Sequence, residues 1–242
     1  RDNNIVYAGF QFGNYFRINK TTGERKRLEV PRELGEASFR FNWESPLTIS
    51  RHNQDIIYFG SNKFHRSFDK GDTFKTLSGD LTRGKKEGDV PFGTLTTIEE
   101  SSSRFGLIYT GSDDGLIYVS KDGGYTFTKI MDKANLWVSG ISVSAHAEAT
   151  VYASLNAYRG DHFKPYLFIS TDYGQTWQTI GSDLPAEPIN VVKEDPKNAN
   201  IIYVGTDNGL YISMDKGKTF MRGNGDGMPS VSIHDLVIHP RE

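Results

Sequence analysis

The sequence predicts an all-β protein, a β-propeller or part of one with about five four-stranded blades, and three observations carry this prediction. Aromatic residues make up 12% of the 242 residues, glycine occurs 25 times, and no long stretch has the apolar period of a helix. A strand-like motif containing a tyrosine recurs at intervals of about 50 residues, and a polar turn follows it four times. Four-stranded antiparallel units repeated at this period are typical of propeller blades.

The strand-like motif reads NIVYAG at its first occurrence and NIIYVG at its last. Its tyrosines lie 51, 51, 43 and 51 residues apart and are Tyr7, Tyr58, Tyr109, Tyr152 and Tyr203. Each unit divides into four short runs, which is clearest between residues 93 and 131, where GTLTTIEES, GLIYTGSD, GLIYVSKD and TFTKIM follow one another. The Asp-Asp-Gly at 113–115 predicts a tight hairpin between the second and third runs.

The polar turn is the octet STDYGQTW at residues 170–177, with the near copies SFDKGDTF, SKDGGYTF and SMDKGKTF. We expect its aspartate to accept backbone N–H groups two or three residues onward, and its glycine to supply a positive φ. The hydroxyls are expected to bond across the hairpin mouth, and the final aromatic residue to pack between blades. The octet is therefore predicted to brace a turn, with a repeated ligand code as the alternative. Its residues are Ser67, Asp69, Gly71, Phe74, Ser120, Asp122, Gly124, Phe127, Ser170, Asp172, Gly174, Trp177, Ser213, Asp215, Gly217 and Phe220.

This octet resembles the Asp-box, or bacterial neuraminidase repeat (BNR), of sialidases, tandem-propeller xyloglucanases and the sortilin ectodomain. Stretches such as RFNWESPLTIS, YRGDHFKPYLFISTDYGQTW and PINVVKEDP extend the resemblance over essentially the whole chain, to large bacterial exported proteins of the sortilin-like or BNR-repeat glycosyl hydrolase kind. The resemblance implies a secreted, periplasmic or cell-surface protein, although the chain as given begins without a signal peptide. It implies little about activity, because the family name was inherited from the repeat.

The repeats define one propeller region over residues 1–242. Its predicted blade units are 1–30, 39–79, 93–131, 137–181 and 187–222, with 231–240 as the first strand of a further or closing blade. The first unit lacks an innermost strand, and its octet has decayed to NKTTGE, with Thr21 in place of the aspartate. Two interpretations follow: the chain is a slice of a longer propeller, which we favour, or its last strand completes the first blade in a five-bladed ring.

Composition argues against several other classes. The net charge of -2 and pI of about 6.3 give no basic surplus for nucleic acid. No apolar run reaches the roughly 18 residues that cross a bilayer. The absence of cysteine removes disulfides, thiolate catalysis and cysteine-based zinc sites, and the 6 histidines show no metal spacing. We expect neither a metal nor another cofactor.

One blade carries an insertion, which is the clearest candidate for a binding site. The distance from repeat tyrosine to octet serine is 9, 11, 18 and 10 residues in the four complete units. The lengthened loop, 155–166, contains the candidate binding residues Tyr158, Arg159, His162 and Phe163, and also Asp161. Long loops on rigid scaffolds often carry function, and the alternative is a loop that packs on a neighbouring blade.

A second group of candidates precedes the second unit. Arg40 and Trp43 are candidate binding residues, and Glu44, with Asp80 and Asp161, is a weak candidate for a catalytic carboxylate. The alternative interpretations are an inter-blade core role for Trp43 and a solvated loop around Asp80. The run FRIN at 16–19 resembles a sialidase arginine motif, but the other residues of that site cannot be assembled, so sialidase activity is disfavoured.

We predict a binding module whose partner is a polysaccharide, a protein or the remaining blades of its own parent chain. The site is expected on the face opposite the octets, bordered by the insertion, with an extended ligand favoured over a monosaccharide. The alternative is an endo-acting, xyloglucanase-like glycoside hydrolase whose catalytic carboxylates lie partly outside this chain, since hydrolysis needs two of them across one bond. A structural spacer is the third possibility.

Overall fold

The structure is a computed structural model that describes residues 3–85, 92–223, 225 and 229–239. Residues 1–2 of the first predicted unit, residue 240 of the last predicted strand, and residues 86–91, 224, 226–228 and 241–242 lie outside the described residues. Within the described part, the strands form five antiparallel sheets, four with four strands and one with three. The predicted all-β blade architecture is therefore confirmed.

The strands follow one another in chain order within each sheet. The first sheet contains β1 (Ile5–Phe10), β2 (Asn14–Asn19) and β3 (Arg25–Arg27). The second contains β4 (Leu47–Ile49), β5 (Ile57–Gly60), β6 (Phe64–Ser67) and β7 (Lys75–Thr76). The third contains β8 (Leu95–Glu100), β9 (Ile108–Ser112), β10 (Leu116–Ser120) and β11 (Thr128–Asp132). The fourth contains β12 (Trp137–Val143), β13 (Val151–Ala157), β14 (His162–Ser170) and β15 (Gln178–Thr179). The fifth contains β16 (Ile189–Glu194), β17 (Ile202–Thr206), β18 (Leu210–Ser213) and β19 (Met221–Arg222).

The octet turns and the turns between first and second strands lie at the same end of each blade. In the second blade the N–H of Lys70 donates to the carbonyl of Asp55 at 2.8 Å, and in the fourth Tyr173 donates to Ala149 at 2.8 Å. The hairpins between second and third strands are consequently at the opposite end, because successive strands are antiparallel. The two faces of the molecule are thus built from different loops.

The four octets share one hydrogen-bond pattern. Each serine hydroxyl donates to the aspartate at 2.7–2.8 Å and accepts from the glycine N–H at 2.7–2.8 Å. Each threonine gives its hydroxyl to the second carboxylate oxygen at 2.6–2.7 Å and its N–H to the first at 2.8–2.9 Å. The hydroxyls therefore bond to the aspartate and not across the hairpin mouth. The aspartate accepts from four residues onward in every octet and also, as predicted, from three residues onward in two of them, from Tyr125 at 3.1 Å and from Lys218 at 3.0 Å.

Each octet is packed against the preceding blade. Lys70 and Gly71 both have a left-handed backbone, with φ of 60° and 87°. A Cβ on Gly71 would lie 2.7 Å from Cδ2 of Leu28 in the first blade, so glycine is required there for space as well as for conformation. The terminal aromatic side chains occupy the blade interfaces: Phe74 is buried in the cluster with Leu28, and the indole N–H of Trp177 donates to the carbonyl of Ile130 at 3.0 Å.

The repeat tyrosines link some blades to the next. The buried hydroxyl of Tyr58 donates to Oε1 of Glu100 at 2.7 Å, and that of Tyr152 donates to Glu194 at 3.2 Å. Burial and the bond to Glu100 raise the pKa of the Tyr58 hydroxyl. Tyr109 is equally buried, but its hydroxyl has no hydrogen-bond partner in the described part of the chain. Val143 occupies the first-strand position that the two glutamates hold in the neighbouring interfaces.

Residues 231–239 form no strand, in contrast to the predicted first strand 231–240. The N–H of Ile233 donates to the carbonyl of Thr206 at 2.9 Å, much as Leu95 of the third blade donates to Ser61 at 2.7 Å. The segment thus lies on the fifth blade as a first strand would, but among the described residues it forms no ladder with β1 or with any other strand. β1 pairs with β2. The slice interpretation stays a prediction.

No helix in the described ranges is long and apolar enough to cross a membrane.

Candidate functional site

A cleft of about 570 Å³ opens on the face opposite the octets. It is bordered by the second-to-third-strand hairpins of the fourth and fifth blades and by the starts of several first strands. The lining residues are Glu44, Thr96, Trp137, Ser139, Asn156, Tyr158, Arg159, Asn190, Asp207, Ser232 and His234. A smaller cavity of about 330 Å³ lies beside β1 and is mainly apolar, because Ile5, Val6 and Ile49 line it. We take the larger cleft as the candidate site, because several polar and aromatic groups converge in it.

The inner wall of the cleft is built by equivalent residues of three first strands. Thr96, Ser139 and Asn190 each lie where the pairing register shifts, which is the signature of a β-bulge. Their side chains bond to the next blade: Thr96 donates to the carbonyl of Val138 at 2.7 Å, and Ser139 to that of Ile189 at 2.6 Å. A bulge turns a side chain away from the regular alternation, and here it places polar groups on the channel side.

The insertion is an extension of the β13–β14 hairpin. Ala157 still pairs with His162, and the 3₁₀ turn Tyr158–Gly160 closes the tip. Asp161 ends this turn with a φ of 55°, and its N–H donates to the carbonyl of Tyr158 at 3.1 Å. The segment predicted as a lengthened loop is therefore mostly strand, because its additional residues continue the antiparallel ladder.

The tip of this hairpin divides the insertion residues into two groups. Tyr158 and Arg159 line the cleft. Phe163, with 48% of its surface exposed, and Asp161 are not in its lining, and His162 bonds through Nδ1 to the hydroxyl of Tyr166 at 3.1 Å. Two of the four predicted binding residues of the insertion thus lie in the cleft.

Arg159 lies over the ring of Trp137, with its guanidinium carbon 4.3 Å from the ring centroid. Trp137 is the first residue of β12 and pairs with Asn156 on β13, so the register brings it beside the hairpin tip. Trp137 is not among the site residues predicted from the sequence. Antiparallel pairing would place Trp137 near residue 156 only approximately, because the register shifts at a bulge between Val138 and Gly140.

The candidates before the second blade are separated in the structure. Glu44 lines the cleft. Arg40 forms an ion pair with Asp80 at 2.6 Å and also donates to the carbonyl of Gly93 at 3.0 Å. Burial raises the pKa of Asp80, but the bonds from Thr82 and Arg40 outweigh it and leave the pKa below its ordinary value.

Trp43 lies outside the cleft lining. Its side chain is 53% exposed and meets the ring of Phe12 edge-on, with centroids 5.3 Å apart. It lies in neither a blade interface cluster nor the cleft. Of the group Arg40, Trp43, Glu44 and Asp80, the cleft therefore contains Glu44 alone.

Asp207 is a second carboxylate of the cleft, and it is not among the site residues predicted from the sequence. One of its oxygens accepts from the amide of Asn190 at 2.9 Å and from the hydroxyl of Ser232 at 3.2 Å. It lies on the second-to-third-strand hairpin of the fifth blade, at the position that Asp113 holds in the third. Asp113 is buried, which raises its pKa, and bonds to Thr94 of its own blade. Among the described residues, no three His, Asp or Glu side chains are grouped as metal ligands.

Several known proteins are similar to this chain in sequence or in structure. No protein-family model matches the chain. The xyloglucanase of Hypocrea jecorina (strain QM6a) is 29% identical over 134 residues, which cover 48% of this chain and 16% of that protein. The GH74 xyloglucanase from Xanthomonas campestris matches with a TM-score of 0.66 and 20% identity, covering 90% of this chain and 36% of that one. The GH74 enzyme of Niastella koreensis matches with a TM-score of 0.66 and 18% identity, covering the same shares.

These matches concern the architecture of the blades. The chain spans 36% of the length of the two bacterial GH74 structures and 16% of the curated xyloglucanase. At identities of 20% and 18%, the structural likeness shows a shared fold. This chain is therefore a β-propeller region with the blade architecture seen in GH74 enzymes.

Proposed function

We propose that this chain binds an extended polysaccharide in the cleft lined by Trp137, Tyr158, Arg159 and Glu44. The observation that carries the proposal is the convergence of aromatic and hydrogen-bonding side chains from separate blades in one cleft. Tyr158 is 54% exposed and presents an aromatic surface at the rim. Sites of this composition combine apolar contact with a few oriented polar groups, which suits the alternating faces and hydroxyls of sugars.

The polar wall supports a ligand that runs across several blades. Thr96, Ser139 and Asn190 repeat at equivalent places, so the wall presents a polar side-chain oxygen, a possible acceptor for sugar hydroxyls, at successive blades. A repeating surface suits a repeating polymer better than a single sugar. The similarity to proteins named as xyloglucanases makes xyloglucan the first polysaccharide to test.

The proposal is tested by affinity electrophoresis and titration calorimetry of the chain against xyloglucan and a panel of other plant and bacterial polysaccharides. Trp137→Ala is expected to weaken binding at least about tenfold, a loss of about 1.4 kcal/mol. Trp43→Ala is the matched control, because it removes the same side chain from an exposed position outside the cleft. Equal losses in both variants, or binding unaffected by Trp137→Ala, would contradict the proposed site.

Hydrolysis is the second candidate, and a specific observation favours it: Glu44 and Asp207 both line the cleft. Glycoside hydrolysis requires an acid and a base or nucleophile on either side of the scissile bond. The test is release of reducing ends from each polysaccharide that binds. Activity that Glu44→Gln and Asp207→Asn each abolish, with binding retained, would establish catalysis; binding without any release would identify a binding module. A secreted or cell-surface location belongs to the same proposal and is checked by fractionation of the producing cells.

A further inference from the structure

We infer that Arg159 forms an anion-binding subsite, so that the polysaccharide accepted by the cleft carries carboxylates, as polymers of uronic acids do. The inference rests on the proposed carbohydrate-binding function and specifies its ligand class. Among the described residues, five arginines form no ion pair, and Arg159 is the one of these that lines the cleft; the other four are Arg25, Arg32, Arg66 and Arg222. Arg17, Arg40 and Arg104 are each neutralised by an ion pair, at 2.9, 2.6 and 3.3 Å from an aspartate or glutamate. In the part of the chain that the structure describes, no carboxylate pairs with Arg159.

The guanidinium of Arg159 nevertheless has a preferred position. It is exposed and lies over the face of Trp137, and a cation–π contact at an exposed site is worth roughly 0.5–1 kcal/mol. The backbone that carries it is the single 3₁₀ turn at the tip of the hairpin, closed by the pairing of Ala157 with His162. A side chain with a preferred position loses less conformational entropy when it meets a ligand. Arg159 is therefore partly preorganised for binding.

The chemistry of the guanidinium selects the ligand group. With one face against the indole ring, the N–H donors around its edge stay available. Their planar fork matches the two oxygens of a carboxylate, whereas a neutral sugar hydroxyl engages them singly. A carboxylate on the pyranose ring of a uronic acid can meet the guanidinium while the ring itself lies beside Tyr158, which also lines the cleft.

The other charges of the cleft restrict where that carboxylate can lie. Glu44 and Asp207 repel an anion, and neither forms an ion pair with Arg159. Asp207 already accepts from Asn190 and Ser232, and Glu44 is an exposed acceptor suited to sugar hydroxyls. The acidic group is therefore expected at the Arg159 end of the cleft, with hydroxyl groups toward the two carboxylates.

The experiment compares polygalacturonate with its fully methyl-esterified form, which has the same backbone without the charge, and with xyloglucan. The chain is expected to bind polygalacturonate more tightly than the esterified polymer, by about 10- to 100-fold, the range for hydrogen bonds to a charged group. Arg159→Gln should remove this preference, and Arg159→Lys should restore part of it. Arg25→Gln makes the same charge change on β3, away from the cleft, and should leave the preference intact. Melting temperatures verify that every variant is folded.

Each outcome decides one question. Equal binding of charged and esterified polymer, or an unchanged preference in Arg159→Gln, would overturn the anion subsite. Tight binding of xyloglucan that is insensitive to Arg159→Gln but lost in Trp137→Ala would overturn it while leaving the proposed carbohydrate site standing. Failure to bind any polysaccharide would overturn both. A preference that Arg25→Gln removes equally would show general charge attraction and would also overturn the subsite.

Discussion

The hydroxyl of Tyr58 and the carboxylate of Glu100 meet at 2.7 Å across the interface between the second and third blades. Both side chains are fully buried, and the same glutamate accepts from the hydroxyl of Ser50 at 2.6 Å and the N–H of Arg51 at 2.9 Å. A buried carboxylate is tolerated when its oxygens are occupied by donors. The hydroxyl of the repeat tyrosine thus donates a hydrogen bond to a buried carboxylate of the following blade.

Tyr58→Phe is expected to lower the free energy of unfolding by about 1–3 kcal/mol, because it leaves an oxygen of Glu100 short of a donor. Tyr109→Phe is the matched control. It removes a hydroxyl that is buried without a partner in the described structure, so its stability should be unchanged or slightly higher. Urea denaturation of both variants measures the difference. Equal destabilisation would show that the hydroxyl of Tyr109 is hydrogen-bonded in solution.

Asp69→Ala should destabilise the protein by about 1–2 kcal/mol, comparable to the loss of a strong helix cap, because it removes the acceptor for Ser67 and Thr73. The control is Asp132→Ala, which removes an exposed aspartate held by ion pairs with Arg83 and Lys129 and should destabilise the protein much less than Asp69→Ala, because solvent screens exposed ion pairs. Polysaccharide binding should follow stability alone in both variants. A selective loss of binding in a folded Asp69 variant would favour a ligand role for the octet.

The octet aspartates also predict acid sensitivity. Hydrogen bonds from Thr176 and Ser170 lower the pKa of Asp172 to about 2. Hydrogen bonds, of which the one from the backbone N–H of Thr219 has the largest effect, also lower the pKa of Asp215 to about 2. A carboxylate whose pKa is lower in the folded state contributes stability that is complete above its unfolded pKa near 4. That contribution should be lost as the pH falls from about 4 toward 2. The urea midpoint measured across this range should decline less steeply in Asp172→Asn than in the unaltered protein.

His65 predicts a second, separate pH dependence. Burial is the main reason that its pKa is lowered to about 3, and both ring nitrogens face hydroxyl oxygens, of Ser61 at 2.7 Å and Thr76 at 2.9 Å. In the unfolded chain the imidazole of His65 is protonated below about pH 6.5, whereas in the folded protein it stays neutral until the pH approaches 3. Stability should therefore be complete above about pH 6.5 and decline by on the order of 1 kcal/mol per pH unit below it. His65→Gln should be less stable at pH 8 and should lack this slope; a slope that persists would assign it to other groups.

The blade plan could be predicted because it is repeated in the sequence. Tyrosine spacing locates the second strands, and Gly71 and its equivalents mark turns that no other residue fits. Glu100 and Trp137 were missed for a different reason. Each acquires its role from a neighbour in another strand, and the relevant register depends on a bulge, which one sequence does not display.

The candidate site was predictable in part. The additional residues of the fourth unit pointed to Tyr158 and Arg159, because residues inserted into a repeat extend beyond the strands that all the blades share. Asp207 carries no such mark, because it belongs to a hairpin of ordinary length. The group around Arg40 was placed correctly near a first strand, but sequence could not show that Arg40 and Asp80 neutralise each other.

The order of strands within the sheets has a consequence for how the chain acquires its structure. Every strand pairs with its neighbour in sequence, so each blade closes through short loops and needs no partner from a distant part of the chain. Loop closure over short separations is fast, and repeat proteins of this kind propagate structure from one unit to the next. A finished blade presents the apolar flank against which the next octet packs, as Leu28 does for Gly71. The propeller can therefore assemble vectorially, blade upon blade, while synthesis is still in progress.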